Sequence, residues 1–131
     1  MADARRLLVI VDDDEAVLGS LTFALELEGF EVHAYRDAES LLTDDGATEA
    51  DCLIIDQKLP GQSGVQLLKR LRAQGVTAPA LLITTPTPAA AAMAAANDVE
   101  LVGKPLQSAE LVEIVLRRIA PSSSSGGASA K

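Results

Sequence analysis

The sequence predicts an α/β fold in which helices cover both faces of a parallel β-sheet. Short apolar runs alternate five times with segments of helical character, which is the pattern of repeated strand–helix units. Three of these runs are apolar at nearly every position, as strands buried on both faces are: LLVIV at 7–11, CLII at 52–55 and ALLI at 80–83. A chain of 131 residues is long enough to form one domain without disulfides or structural metals.

Five strands and five helices are predicted in strict alternation. The strands are Leu7–Val11, Glu31–Tyr35, Cys52–Asp56, Ala80–Thr84 and Glu100–Val102. The helices are Glu15–Glu28, Ala38–Thr43, Gly64–Gln74, Pro88–Ala96 and Ser108–Ile119. The first helix is predicted because Leu18, Leu21 and Leu25 recur at helical spacing and Gly29 follows as a stop signal.

The fourth and fifth helices differ in what holds them to the sheet. Pro88 can open the fourth helix at its first position, but the alanines that follow offer few large side chains for packing. That helix is therefore expected to be marginal and mobile. The fifth helix carries Leu111, Ile114 and Val115 at helical spacing, which predicts a well-anchored element.

Domain organisation follows from the composition near the end of the chain. Residues 1–120 are predicted to form the domain, and PSSSSGGASAK at 121–131 is predicted to be a disordered tail or linker. Whether such a domain stands alone or belongs to a longer regulator is left open by the sequence. The oligomeric state is likewise left open.

Charge and cysteine content exclude several classes of protein. The formal net charge is −8, from 19 acidic and 11 basic residues, and no basic cluster suited to nucleic acid is present. The single Cys52 lies in an apolar run, which predicts a buried thiol in a reducing compartment. The N-terminal segment lacks the pattern of a signal peptide, and no run is long enough to span a bilayer. A cytoplasmic protein is predicted, without a membrane or nucleic-acid partner.

Polar side chains stand where the predicted strands end. The set consists of Asp12, Asp13, Asp14, Asp56, Thr84, Thr85 and Lys104. In an open parallel sheet, the carboxyl ends of the strands form one edge, where ligands bind. We therefore expect these side chains to share one shallow cleft.

Three of these carboxylates need a positive partner. Asp12, Asp13 and Asp56 would place up to three negative charges together, and Lys104 offsets only one of them. A divalent cation would offset the rest, and oxygen ligands favour Mg²⁺, with Mn²⁺ as the alternative, over Zn²⁺. Because Mg²⁺ commonly engages phosphate, the cleft is predicted to meet a phosphoryl group, with one carboxylate as the nucleophile.

Four motifs carry a family resemblance: LLVIVDDDEAV at 7–17, LIIDQKLPGQSG at 53–64, PALLITT at 79–85 and VGKPL at 102–106. In this order and spacing they resemble the receiver domain of two-component response regulators, over about residues 6–119. The resemblance implies a flavodoxin-like three-layer sandwich with a five-stranded parallel sheet in the order 2-1-3-4-5. It also implies a signalling switch that is phosphorylated by a histidine kinase or a histidine phosphotransfer protein.

The resemblance also assigns roles to the acidic residues. Asp56 is implied to be the phosphoacceptor. Asp13 is implied to bind Mg²⁺ directly and Asp12 through water, with Asp56 and the backbone carbonyl of Lys58 as further ligands.

Further roles are implied on the other side of the cleft. Thr84 is implied to supply the hydroxyl that moves to the phosphoryl oxygen, and Lys104 the cation that contacts it. Pro105 is implied to follow a cis peptide bond, since an X–Pro bond is the one linkage where cis is cheap.

Several positions depart from the family pattern. Leu101 stands where the fifth strand usually carries an aromatic residue on the output face, so a threonine–aromatic relay is not expected. Thr85 replaces a smaller residue beside the pocket, and the segment between Thr84 and Lys104 is slightly short. Pro86 offers no side-chain hydrogen bond to a hydrolytic water, so slow self-dephosphorylation is predicted.

Other interpretations of the same residues remain. The chain could be an adaptor that binds a partner without phosphorylation. The D-x-D spacing at 12–14 also suits a haloacid-dehalogenase-like phosphatase, although Ala16 and the short chain argue against it. A flavin-binding protein is weaker still, because the acids would repel the flavin phosphate. Asp12 with Glu15 also fits a helix capping box, while Asp14 and Glu15 are predicted to be cap and surface residues. His33 is predicted to be structural or exposed.

Overall fold

The computed structural model describes residues 6–44, 46–104 and 107–124. Within these residues, strands and helices alternate along the chain. The strands are β1 (Leu7–Val11), β2 (Glu31–Tyr35), β3 (Cys52–Asp56), β4 (Ala80–Thr84) and β5 (Glu100–Gly103). The helices are α1 (Glu15–Leu27), α2 (Ala38–Asp44), α3 (Gly64–Ala73), α4 (Pro88–Ala96) and α5 (Ser108–Ser124).

The strands form one parallel sheet in the order β2-β1-β3-β4-β5. Ile10 in β1 pairs with Ala34 of β2 on one side and Ile54 of β3 on the other. The connection after β1 leads to β2 on one side of it, and the next connection leads back to β3 on the other side. Sheets of this kind bind ligands at the carboxyl ends of the strands where the order reverses in this way. The α/β class and the strand order predicted from the sequence are confirmed.

Each face of the sheet carries its own hydrophobic core. Alternate residues of a strand point to opposite faces, so Leu8 and Ile10 of β1 pack with α1 and α5. Val9 and Val11 pack on the opposite face, with α2, α3 and α4. The central strands are therefore covered on both sides, as their uninterrupted apolar sequences predict.

Helix boundaries differ slightly from those predicted. Helix α1 ends one residue early, at Leu27, and the chain turns through Gly29 at a φ of +98° that favours glycine. Helix α5 continues to Ser124 rather than ending at Ile119. Serine lowers helix propensity only modestly, so the serine run does not impose an end on the helix. Helix α5 therefore extends into the segment 121–131, and the assignment of that segment as a disordered tail or linker stays a prediction.

The lengths of the helices also bear on membrane association. In the part of the chain that the structure describes, no helix combines the length and the apolar character needed to cross a bilayer.

Candidate functional site

Asp12 and Asp13 lie at the turn that joins β1 to α1. Asp12 is 2% exposed, and its N–H donates to the carbonyl of Tyr35 at 3.0 Å. Its Oδ1 accepts a hydrogen bond from the N–H of Asp14 at 2.9 Å. These contacts fix the orientation of the Asp12 carboxylate at the edge of the sheet, while Asp13 is exposed.

The cap of α1 is Asp14, whose side chain accepts hydrogen bonds from Ala16 and Val17. The alternative of a capping box between Asp12 and Glu15 is therefore wrong, whereas the prediction of Asp14 as a cap and Glu15 as a surface residue is confirmed. Asp12 directly follows β1, and its Oδ1 accepts from the N–H of Asp14 rather than from the first turn of the helix. Glu15 instead forms a surface ion pair with Arg36.

Asp56 closes β3 beside Asp12 and is 3% exposed. Its Oδ1 accepts a hydrogen bond from the N–H of Lys58 at 3.3 Å. The start of α3 packs closely on this strand end, because a Cβ atom at Gly64 would lie 2.5 Å from the Asp56 carbonyl oxygen. Glycine at position 64 thus allows the backbone to approach the acidic residue.

The three carboxylates meet as the sequence predicted. One oxygen each of Asp12, Asp13 and Asp56 lies within 4.8 Å of the others. Burial raises the pKa of Asp12 to about 6, and the neighbouring Asp56 and Asp13 charges add to the rise. The hydrogen bond from Asp14 and the charge of Lys104 act in the opposite direction. A crowded set of oxygen ligands, two of them buried and one exposed, suits a hard divalent cation.

Lys104 supplies the positive charge of the site. Its Nζ lies 3.2 Å from Asp56 Oδ1, and its side chain is 39% exposed whereas that of Asp56 is 4% exposed. The N–H of Lys104 donates to the carbonyl of Thr84 at 3.0 Å. Lys104 therefore reaches Asp56 from the end of β5 while its backbone is held by the end of β4.

Two clefts open beside Asp56. The first, of about 630 Å³, lies along α1 and is lined by the three acids, Lys58 and Lys104, with apolar walls at Val17, Leu21 and Ile83. The second, of about 490 Å³, lies against α4 and includes Thr84 and Thr85 among its walls. Asp56 and Lys104 line both clefts.

The remaining predicted site residues differ in their exposure and in their position relative to the clefts. Lys58 is exposed and borders both clefts, and metal ligation by its carbonyl stays a prediction. Thr84 is half-buried and Thr85 is exposed, so both can face a group on Asp56. Leu101 is half-buried against the core beneath α4, and Pro105 lies outside the described residues.

His33 is exposed and Cys52 is buried, as predicted. His33 is exposed on β2 and lies 2.9 Å from Glu31 Oε2. Cys52 is fully buried in β3, and burial raises the pKa of its thiol to about 12.

Sequence reasoning missed Gln57. Its Oε1 accepts a hydrogen bond from the N–H of Val65 at 3.0 Å, and its Nε2 donates to Met93 Sδ at 3.5 Å. The alternation of side chains along β3 could have indicated this position. Gln57 follows Asp56 and therefore points to the other face of the sheet, which α3 and α4 cover.

A sheet of this order, with acids and a lysine at its carboxyl edge, is the arrangement that the resemblance to receiver domains implied. The model of the response regulator receiver domain family matches residues 8–116. The chain therefore belongs to the response regulator receiver domain family. This finding confirms the resemblance inferred from the four sequence motifs.

Curated relatives include transcriptional regulators and sensory transduction proteins. The transcriptional regulatory protein FixJ of Bradyrhizobium diazoefficiens is 31% identical over 123 residues, which are 90% of this chain and 60% of FixJ. The sensory transduction protein RegX3 of Mycolicibacterium smegmatis is 36% identical over 77 residues, which are 59% of this chain and 33% of RegX3. The chain thus spans 60% or less of the length of these relatives.

Solved structures share the fold. The chemotaxis protein CheY4 of Vibrio cholerae superposes with a TM-score of 0.80 at 24% identity, covering 88% of this chain and 99% of CheY4. A two-component response regulator from Clostridium difficile gives a TM-score of 0.83 at 20% identity, covering 92% of this chain and 100% of that one. These likenesses establish the flavodoxin-like three-layer architecture.

Proposed function

We propose that this chain is a phosphoaccepting signalling switch in which Asp56 receives the phosphoryl group. The observation that carries the proposal is the convergence of Asp12, Asp13 and Asp56 within 4.8 Å, with Lys104 at 3.2 Å from Asp56. Family membership supports the same function. Asp56 lies between two clefts. A phosphoryl donor can approach it through the first cleft, while the threonine hydroxyls face it from the second.

We propose Mg²⁺ as the cofactor, with Mn²⁺ as the alternative. The donor set fits, because the three carboxylates supply hard oxygen ligands. Burial, together with the neighbouring charges of Asp56 and Asp13, raises the pKa of Asp12 to about 6, and a bound cation would favour the charged form of this carboxylate. When bound, the cation supplies positive charge near the phosphoryl oxygens.

The transfer itself is a displacement at phosphorus. A carboxylate oxygen of Asp56 attacks the phosphorus of a phosphohistidine, an O–P bond forms, and the N–P bond breaks. The imidazole leaves with the electron pair of that bond, and Asp56 becomes an acyl phosphate. Lys104 is placed to offset the negative charge on the phosphoryl oxygens.

The cleft on the α4 side supports a role for the threonines as phosphoryl ligands. Thr84 and Thr85 line the cleft on the α4 side together with Asp56 and Lys104. We propose that the hydroxyl of Thr84 donates to a phosphoryl oxygen on Asp56. Thr85 narrows the entrance on the same side.

The proposed partner is a histidine kinase or a histidine phosphotransfer protein in the cytoplasm. The first cleft supports this choice, because Val17, Leu21 and Ile83 give an apolar wall beside the acceptor, which suits an imidazole ring. The acidic net charge of −8 supports a protein partner over direct binding of nucleic acid.

Incubation with acetyl phosphate and Mg²⁺ tests the proposal, with intact-protein mass as the measurement. The wild-type chain should gain one phosphoryl group, and Asp56→Asn should gain none. Asp98→Asn is the matched control, since Asp98 is exposed and its positive φ of 54° is one that asparagine tolerates. The control should be phosphorylated as the wild type is.

The outcomes also separate the alternatives. A folded wild-type chain that gains no phosphoryl group under these conditions favours the phosphorylation-independent adaptor. Turnover of p-nitrophenyl phosphate that survives Asp56→Asn and is lost in Asp12→Asn favours the phosphatase. Phosphorylation of Asp56→Asn to the wild-type level would refute Asp56 as the acceptor.

A further inference from the structure

Gln57 is fixed on both sides by backbone hydrogen bonds. Its N–H donates to the carbonyl of Ile83 at 2.9 Å, and its own carbonyl accepts from the N–H of Gly64 at 2.9 Å. The residue that follows Asp56 is thereby attached to the end of β4 and to the start of α3. Any displacement of this segment is transmitted to the side chain of Gln57.

That side chain spans two helices. The N–H of Val65 is a donor, so it must face the amide oxygen of Gln57, at 3.0 Å. The amide nitrogen then faces Met93 Sδ at 3.5 Å, where sulfur can only accept. The two halves of one amide group thus connect the first turn of α3 to the middle of α4.

Helix α4 has little else to hold it. Its sequence is PAAAAMAAA, in which Ala90 and Ala94 are buried and Met93 is half-buried. Among the described residues, the Gln57–Met93 contact is the single side-chain hydrogen bond between α4 and another element. The helix position therefore depends strongly on Met93.

The same contact borders the acceptor site. The cleft of about 490 Å³ on this side is lined by Asp56, Gln57 and Lys104 and also by Ala90 and Met93 of α4. A phosphoryl group on Asp56 that extends into this cleft would approach the wall that Gln57 and Met93 help to form. The Gln57–Met93 contact therefore provides a short connection between a phosphoryl group on Asp56 and the position of α4.

We propose that Gln57 is a positioning residue that couples phosphorylation of Asp56 to movement of α4 through Met93. This inference rests on the proposed function, because phosphorylation of Asp56 is the event that is transmitted. The N–H of Lys58 bonds to Asp56 Oδ1 at 3.3 Å, so modification of that oxygen changes the turn that Gln57 begins. The rigid amide of Gln57 then changes its distance from the sulfur of Met93.

The first test uses the unphosphorylated protein and measures amide hydrogen exchange. Met93→Leu keeps the volume of the side chain and removes the acceptor, whereas Gln57→Leu removes both hydrogen bonds. Loss of one hydrogen bond should speed exchange of the Ala94 and Asn97 amides about fivefold. Gln74→Leu, at an exposed glutamine that follows α3, is the matched control and should leave these rates unchanged.

The second test adds beryllofluoride and Mg²⁺ and follows the amide spectrum. In the wild type, signals near Asp56 and along α4 should both shift. In Met93→Leu and Gln57→Leu, the shifts near Asp56 should remain while those of Ala90 and Ala94 fall by about half or more. A merely structural role would not separate the two responses in this way.

The results distinguish the inference from the function on which it rests. The coupling is refuted if Met93→Leu retains both the wild-type exchange rates and the wild-type shifts of α4. A wild-type chain that shows no beryllofluoride response near Asp56 refutes the proposed function and, with it, the transmission through Gln57. Shifts near Asp56 with unchanged α4 signals in the wild type refute the coupling alone.

Discussion

Replacing Asp12 by asparagine should stabilise the metal-free protein at neutral pH. Asp12 is 2% exposed, and its pKa is raised from 3.8 to about 6, chiefly by burial. Asparagine keeps a side-chain oxygen that can accept the hydrogen bond from Asp14 and removes the charge. The substitution therefore isolates the cost of keeping a carboxylate in this position.

The sign and size of this effect follow from proton linkage. The folded form binds the Asp12 proton more tightly than the unfolded form, so the free energy of unfolding falls as pH rises from about 4 to about 6. Above that range the full cost is present, and a rise from 3.8 to about 6 corresponds to roughly 3 kcal/mol. We expect Asp12→Asn to recover about 1–3 kcal/mol at neutral pH, because the site relaxes in part.

Urea denaturation in the presence of a chelator, repeated between about pH 4 and pH 8, measures this effect. The variant should be more stable than the wild type at the upper end and equal to it at the lower end. Asp37→Asn is the control of opposite sign. A hydrogen bond from the N–H of Ser40 lowers the pKa of Asp37, so removing the charge of Asp37 should not stabilise the chain. Adding Mg²⁺ should raise the stability of the wild type more than that of Asp12→Asn.

Two results would contradict this reasoning. One is an Asp12→Asn variant that is less stable than the wild type at neutral pH without metal. The other is a variant whose pH profile keeps the wild-type slope between about pH 4 and pH 6, because the slope would then belong to another group.

Three further predictions concern other parts of the site. Gly64→Ala should lower the free energy of unfolding by about 1–3 kcal/mol in urea denaturation, because its Cβ would lie 2.5 Å from the Asp56 carbonyl oxygen. The control is Gly19→Ala in α1, where the space is open, and this substitution should raise the free energy of unfolding by about 0.5–1 kcal/mol. Lys104→Met should slow phosphorylation by acetyl phosphate about tenfold or more, measured by the rate of mass gain, and an unchanged rate would remove Lys104 from the site. Phosphorylated Asp56 should decay slowly in the isolated wild-type chain, since Pro86 offers no hydrogen bond to an attacking water, and a lifetime of seconds by the same mass measurement would disprove this.

The acidic site was predictable because its geometry follows from topology. Asp12, Asp56 and Lys104 end or follow separate strands, and parallel strands bring their carboxyl ends to one edge. Burial of the apolar runs fixes which strands lie in the centre, and that is enough to bring these side chains together. Only the identity of the polar residues at the strand ends was needed.

Finer details depend on side-chain torsions that a sequence does not specify. Asp14 was predicted as a cap of α1, but a capping box at Asp12 fitted the sequence as well, and the choice between them depends on where the strand conformation ends. The contact between Gln57 and Met93 joins residues that are far apart in the chain, and it requires one particular arrangement of both flexible side chains. The end of α5 was also missed, because serine neither favours nor forbids a helix strongly.

The burial of Cys52 in β3 has a practical consequence. It is the chain's single thiol and has no accessible surface, so a sulfhydryl reagent reaches it only after the sheet separates. Pulse labelling with such a reagent would therefore count globally unfolded molecules, with no engineered probe, and would allow the lifetime of the native state to be measured in every variant described above.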